Sequence, residues 1–409
     1  IINTRSFGED PAAVGRMVQA AVRGMQENGM ISTVKHFPGH GDTGTDSHMA
    51  LPILTIDRAR FDEIELVPFR AAIEAGVEAV MSAHIAFPAL TGDSVPATLN
   101  PKLLTGLLQE ELGFDGLVVT DALDRAGVAA QYSQAEMGVL AVKAGADVLL
   151  MSPQNQVLID GVVAAVRRGE IPESRIDHSV RKILRAKAKM GLHRQRTVDL
   201  ESVTRQVGTP QNWAVALEAA QRSITVARDR DGLLPLSPAK VKRVLNIAYA
   251  DDIDPLTGRV FDRELRKALP GVEVTSVVLD ARSPATQLEE TAAAAQRADV
   301  VLFSPYVRVR DRKGDVSVAE NIGDWVKELT KTRPVIVTAF GSPYVIGQFP
   351  DISTYVLAWG QVDVLQRAAA RALTGQAPVT GRLPISYLPH FRMGDGLQLE
   401  PLASAEAAR

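Results

Sequence analysis

Short apolar runs that alternate with longer amphipathic stretches limit what this chain can become more than anything else in its sequence. In the first 190 residues, Ile31 to Phe37, Ala79 to Ile85, Gly116 to Leu123 and Asp147 to Met151 read as strands. They are apolar almost throughout, as strands buried on both faces of a parallel sheet must be. The stretches between them read as helices. Asp10 stands where it can cap Pro11 to Asn28, with Pro11 at the first helical position. Asp57 opens a helix to about Ala75, Pro101 to Leu112 ends at Gly113, and Ser133 to Ala144 ends at Gly145. Two further helices close the segment near Met190. Such alternation predicts helices packed on a parallel sheet, with chemistry at the carboxyl ends of the strands. Those ends carry Lys35-His36, Ser82 to His84, Thr120-Asp121 and Ser152. Four strands are half of what a closed β/α barrel needs.

Residues 191–211 are polar and weakly periodic and read as a linker. It leads into a helix over Trp213 to Gln221 and a second α/β block across 212–409. The expected strands there are Val244 to Tyr249, Val272 to Leu279, Val300 to Phe303, Val335 to Phe340 and Tyr355 to Trp359. Helices such as Gly258 to Ala268 and Ala285 to Arg297 fall between them, which predicts an open α/β/α sandwich of about five strands. No internal repeat or low-complexity tract is visible.

Composition narrows the function classes. The 409 residues carry 45 basic and 48 acidic side chains, a net charge of -3, which argues against a general nucleic-acid or membrane-surface binder. With aromatics at 5%, base-stacking platforms are not expected. No run of 18 apolar residues suggests a membrane span. There is no cysteine, so disulfides, thiolate metal sites and cysteine nucleophiles drop out together. The chain opens at Ile1 rather than Met, and the expectation is that a natural upstream part, with any targeting signal, is absent from this sequence.

The densest polar cluster runs from Lys35 to His48 and holds three of the seven histidines. Gly39, Gly41 and Gly44 match the dinucleotide fingerprint in form, but no apolar helix follows to hold a pyrophosphate. His36, His40, Asp42, Asp46 and His48 offer zinc ligands, though at a spacing that fits no helical two-histidine motif. A solvated glycine-rich loop is the plainer reading. Asp121 weighs against it. A carboxylate that ends the apolar run Leu117-Val118-Val119 is costly to bury without a purpose. With Asp46-x-His48 on a neighbouring loop, it makes a nucleophile and an acid/base group conceivable. His84 either lines the same mouth or serves as a structural hydrogen-bonding group, and His178, His193 and His390 are expected at the surface.

These phrases resemble family-3 glycoside hydrolases. The resemblance rests on Arg5-Ser6-Phe7-Gly8, on Lys35 through Thr43, on Asp46-Ser47-His48 and on Gly116 through Leu123. It continues more loosely through Ala339 to Tyr344 and Gly381 to Pro384. The Asp-Ser-His loop is similar to the β-N-acetylglucosaminidase branch. The resemblance implies the C-terminal half of a (β/α)8 TIM-type barrel in residues 1–190, the fifth to eighth strands, followed by the α/β/α sandwich. It implies Asp121 as nucleophile, His48 as general acid/base with Asp46 as its partner, and Arg5, Lys35 and His36 as groups that hold sugar hydroxyls.

The implied activity is a retaining exo-β-N-acetylglucosaminidase that releases terminal N-acetylglucosamine from peptidoglycan fragments or chitooligosaccharides. Its expected partner is the saccharide alone, with no metal, no cofactor, no nucleic acid and no membrane span. The oligomeric state stays open. Two-domain members of this kind are often exported, so an extracytoplasmic site, periplasmic or secreted, is expected rather than a cytoplasmic one. Two rivals remain open at this point: a phosphorylase on the same scaffold and a carbohydrate-binding protein without turnover.

Overall fold

Local signals set most of the helix ends. In the computed structural model, which describes residues 2–44, 50–251, 254–309 and 316–402, the first helix is Pro11–Glu27, with the Asp10 carboxylate accepting from the Ala13 amide. Ser133 caps Gln134–Ala144 in the same way, and Gly145 closes it in the left-handed region. Asp57 accepts from the Arg60 amide and starts Arg58–Arg60. The helix then widens to i→i+5 bonding over Phe61–Glu65 before continuing as Leu66–Glu74. The segment expected from Pro101 is also wide-wound, over Lys102–Glu111.

Contacts divide the chain into two units. Among the described residues, one holds Ile2 and residues 6–198; the other holds residues 199–402 together with the turn Asn3–Arg5. Among the described residues, the first unit has three parallel strands, β1 (Thr33–Phe37), β2 (Ala79–Ser82) and β3 (Leu117–Val119), side by side in that order. These are consecutive β/α units of the kind that build a TIM-type barrel. Strands β2 and β3 stop short of their apolar runs, at Ser82 and Val119, and β1 begins only at Thr33. The fourth run, Asp147 to Met151, meets β3 only through a parallel bridge from Val119 to Val148. Hydrogen bonds from Thr120 N to Val148 O (3.0 Å) and from Leu150 N to Thr120 Oγ1 (2.9 Å) hold it there. The core beneath is apolar and buried, with Phe37, Phe61, Leu66, Val80, Leu104 and Val118 at its centre.

In the expected linker 191–211, Leu200–Gln206 forms a helix, with Asp199 accepting from the Glu201 amide. A second helix, Pro210–Ser223, is longer than the Trp213 to Gln221 periodicity suggests, because Thr209 caps it and Pro210 starts it. Among the described residues the second sheet has six strands rather than about five. Its members are β4 (Thr225–Asp229), β5 (Arg243–Ala250), β6 (Glu273–Leu279), β7 (Val300–Tyr306), β8 (Val335–Ala339) and β9 (Thr354–Leu357), in the order β4-β9-β8-β7-β5-β6. Only β4 runs antiparallel, against β9. Along β5 the side chains alternate between two cores. Val244 and Ala248 join Phe261 and Leu265, while Leu245, Ile247 and Tyr249 join Ala295, Ile322 and Val326. Helices thus cover both faces, as a parallel sheet requires. Gly341, at φ +145, follows β8 where a Cβ would lie 1.9 Å from Val307 O, so no side chain fits there.

Candidate active site

The site of the first unit grows from the carboxyl ends of β1, β2 and β3. His36, the penultimate residue of β1, is 6% exposed and stands next to exposed Lys35. The chain then enters the loop Pro38 to Thr43 through Gly39. Here φ is +154, and a Cβ would come within 2.8 Å of Glu65 Cγ, so glycine is required for Glu65 to close on the loop. Glu65 arrives there because of the wide turn. In an α-helix residues five apart point to different faces, whereas i→i+5 winding brings them nearly into line. Arg60 and Glu65 therefore meet, with Nη2 to Oε1 at 3.1 Å, and Arg60 also reaches Asp42 of the loop at 3.0 Å. Burial raises the Glu65 carboxyl above its ordinary range, against the pull of the Arg60 guanidinium.

The loop is also tied internally. The Thr43 hydroxyl donates to His40 O at 2.9 Å, so its oxygen receives the proton of His40 Nδ1 at 2.7 Å. The His36 and His40 rings meet edge to face at 5.3 Å. Asp46 and His48, the expected dyad, lie outside the described residues.

Asp121 follows β3 and is 2% exposed. Its two oxygens differ. Oδ1 accepts from the Ala122 amide at 2.9 Å and faces Arg125 Nη2 at 3.3 Å. Oδ2 is buried without a hydrogen bond among the described residues and stands 3.9 Å from His36 Nε2. Such an oxygen is costly to keep, and cationic or protonated neighbours offset part of the cost.

His84 supports this arrangement from the loop after β2. Its Nε2 lies 2.9 Å from Ala122 O and its Nδ1 2.8 Å from Thr98 Oγ1. Desolvation holds the imidazole below its ordinary range, outweighing the attraction of Asp121. Ala122 O can only accept, so Nε2 carries a proton, while the Thr98 hydroxyl beside Nδ1 donates to Ala83 O at 3.0 Å. Of the two roles open to His84, the structure shows the hydrogen-bonding one. Gln134 closes the next side, donating to Leu123 O at 3.3 Å and accepting from the Ser152 hydroxyl at 2.8 Å.

The structure thus brings His36 and Asp121 together, from strands with one between them in the sheet. Lys35 stands beside His36 on β1. Arg5 ends the exposed turn Asn3–Arg5, which groups with the second unit, so the first unit alone does not place it at the site. His178 and His193 are exposed, and His390 is half-buried against the Tyr387 ring at 4.9 Å. Among the described residues no three His, Cys, Asp or Glu side chains are grouped to hold a metal ion, and Asp42 is engaged by Arg60. Sequence reasoning missed Arg125, Arg60 and Glu65. Arg125 had a visible signal, since it follows Asp121 by four residues, the spacing of neighbours on a helical turn.

Comparison with known proteins agrees with this architecture. Residues 1–186 match the glycosyl hydrolase family 3 N-terminal domain, and residues 224–395 match its C-terminal domain. A β-N-acetylglucosaminidase/β-glucosidase of Cellulomonas fimi is 29% identical over 406 residues, which cover 94% of this chain and 71% of that protein. A β-hexosaminidase of Chromobacterium violaceum is 38% identical over 166 residues, 41% of this chain and 46% of its own length. The chain therefore spans less than half of that relative. Among solved structures, a family-3 β-N-acetylglucosaminidase from Paenibacillus sp. str. FPU-7 superposes with a TM-score of 0.84 at 33% identity, covering 94% of this chain and 73% of that one. A β-glucoside phosphorylase superposes with a TM-score of 0.84 at 26% identity, over 94% of this chain and 71% of that one.

Proposed function

Since the chain belongs to glycoside hydrolase family 3, we propose that it is a retaining exo-β-N-acetylglucosaminidase acting on peptidoglycan fragments or chitooligosaccharides. The observation that carries the reading is Asp121 Oδ2, a buried carboxylate oxygen with no hydrogen bond among the described residues, held where three strand ends converge. An oxygen in that state is suited to attack an anomeric carbon. His48 would donate the proton to the leaving oxygen and later take one from water, with Asp46 orienting the imidazole and favouring its charged form. Retaining glycosidases ordinarily set two carboxyl groups about 5–5.5 Å apart, and a histidine here takes the place of the second. His36, Lys35 and Arg5 would hold sugar hydroxyls by charge-assisted hydrogen bonds. The division of labour follows residues 1–190, 191–211 and 212–409, with the second domain packing or contacting polymeric substrate.

The test is the anomeric configuration of the first product. The reading predicts release of the β-anomer of N-acetylglucosamine from an aryl β-N-acetylglucosaminide, followed by proton NMR. First release of the α-anomer contradicts a double displacement. A second reading, phosphorolysis, is favoured by the likeness to the β-glucoside phosphorylase. A histidine acid/base, neutral after giving up its proton, does not repel phosphate as a carboxylate would. Sugar 1-phosphate formed in phosphate buffer would select it over hydrolysis.

A further inference from the structure

The surroundings of Asp121 are lopsided. Oδ1 carries the two close polar contacts, the Ala122 amide at 2.9 Å and the Arg125 guanidinium at 3.3 Å, while Oδ2 has only His36 Nε2 at 3.9 Å and no hydrogen bond among the described residues. The Arg125 side chain is itself only 20% exposed, so its contact with a carboxylate 3% exposed is poorly screened by water. We propose that Arg125 sets the balance between the two halves of the reaction, holding back formation of the glycosyl-enzyme and speeding its breakdown. This rests on Asp121 being the nucleophile.

In the first step an Oδ2 electron pair bonds to the anomeric carbon. The bond to the leaving oxygen breaks with its electron pair, and that oxygen takes the proton of the acid group. The carboxylate becomes an ester, and the negative charge that faced Arg125 is gone. In the second step water bonds to the anomeric carbon and gives its proton to the same group, now a base. The bond to Oδ2 breaks, and the electron pair returns to the carboxylate. Charge thus reappears beside a fixed cation. A guanidinium at 3.3 Å favours the free carboxylate over the ester and therefore favours the transition state in which the carboxylate departs. The Ala122 amide adds to this from the same side, and His84 fixes that residue through its carbonyl. Both contacts sit on Oδ1, so they also leave Oδ2 as the attacking atom. Arg125 is a positioning and charge-balancing residue, and it needs no contact with the sugar.

The proposal separates from a structural role by asking which step slows. The substrate is a dinitrophenyl β-N-acetylglucosaminide, whose leaving group needs little protonation. In Arg125→Met the second step should fall roughly tenfold to a hundredfold, the scale of a lost charge-assisted contact at a reacting group. The first step should be unchanged or faster. A burst of dinitrophenolate close to one per enzyme should appear, KM should fall together with kcat, and mass spectrometry after acid quench should show the sugar adduct accumulating. Arg125→Lys keeps the charge and should recover much of the steady rate. Equal slowing of burst and steady state, an unchanged KM and no recovery in Arg125→Lys would overturn the proposal. Asp121→Ala in the same assay keeps the two ideas apart. If it is inactive while Arg125→Met slows both steps equally, only the role of Arg125 fails. If it retains activity, the nucleophile fails first and the role of Arg125 with it.

Discussion

The two units treat buried polar groups differently. In the second, the buried side-chain atoms without hydrogen bonds among the described residues include the hydroxyls Ser304 Oγ and Thr338 Oγ1, which are neutral and cost less than a bare charge. Its Asp262 carboxyl would be raised by burial, yet hydrogen bonds from Arg266, Ser276 and Asn246 bring it below its ordinary range. In the first unit the corresponding atoms include carboxylate oxygens, Asp121 Oδ2 and Glu65 Oε2, and the Glu65 carboxyl is raised by burial. The second unit answers the buried Asp262 charge with donors. The first keeps Asp121 Oδ2 after β3 and Glu65 Oε2 on the wide helical turn buried and underbonded, at a cost in stability.

Substitutions in each unit test that contrast. The largest effect should come from Asp121→Asn, with a rate loss of roughly 10⁴-fold or more on any β-N-acetylglucosaminide. Its melting temperature should equal or exceed that of the parent, because a buried charge is removed with the shape kept. Lost activity accompanied by a much lower melting point would mean that Asp121 is structural.

Phe261→Ala, in the second unit, should cost about 3–5 kcal/mol in denaturant unfolding, the usual loss for a buried aromatic. Its effect on catalysis measured below the transition should be minor. Should activity fall with stability unchanged, the division between a packed unit and a reactive one would not hold.

His84 predicts a pH dependence. Its folded-state pKa lies below the ordinary value, so the unfolded chain binds the proton first. Stability should therefore be full above about pH 6.5 and decline as pH falls below it, by at most about 1.4 kcal/mol per pH unit. His84→Gln should flatten that slope in urea titrations. The same slope in both proteins would rule out His84 as its source. The smallest effect should come from Asp262→Asn, about 1 kcal/mol at neutral pH, lost as pH falls through the low carboxylate range. A cost equal to that of Phe261→Ala would show that the second unit also depends on a strained charge.

Much of this was legible in the residues. Asp10-Pro11, Asp57 and Ser133 mark helix starts through side-chain chemistry that acts within one turn. Asp121 was legible because it ends an apolar run. Strand ends were less so. Thr120 to Leu123 look like a continuation of Leu117-Val118-Val119, but their hydrogen bonds go to the loop bearing Leu150 and to the site. Strand β4 was missed because its five residues pair with β9, more than a hundred positions away, and carry Arg228 and Asp229. The Arg60–Glu65–Asp42 contacts depend on a wide helical turn that no periodicity announces.

The central claim is that Asp121 carries the sugar during turnover. The direct measurement is peptide mapping by mass spectrometry after trapping with a fluorinated N-acetylglucosamine derivative whose second step is slow. The account predicts one sugar, on the peptide that contains Asp121, and none in Asp121→Ala. A sugar attached to another residue, or turnover with no covalent adduct under conditions that trap a related retaining enzyme, would contradict it.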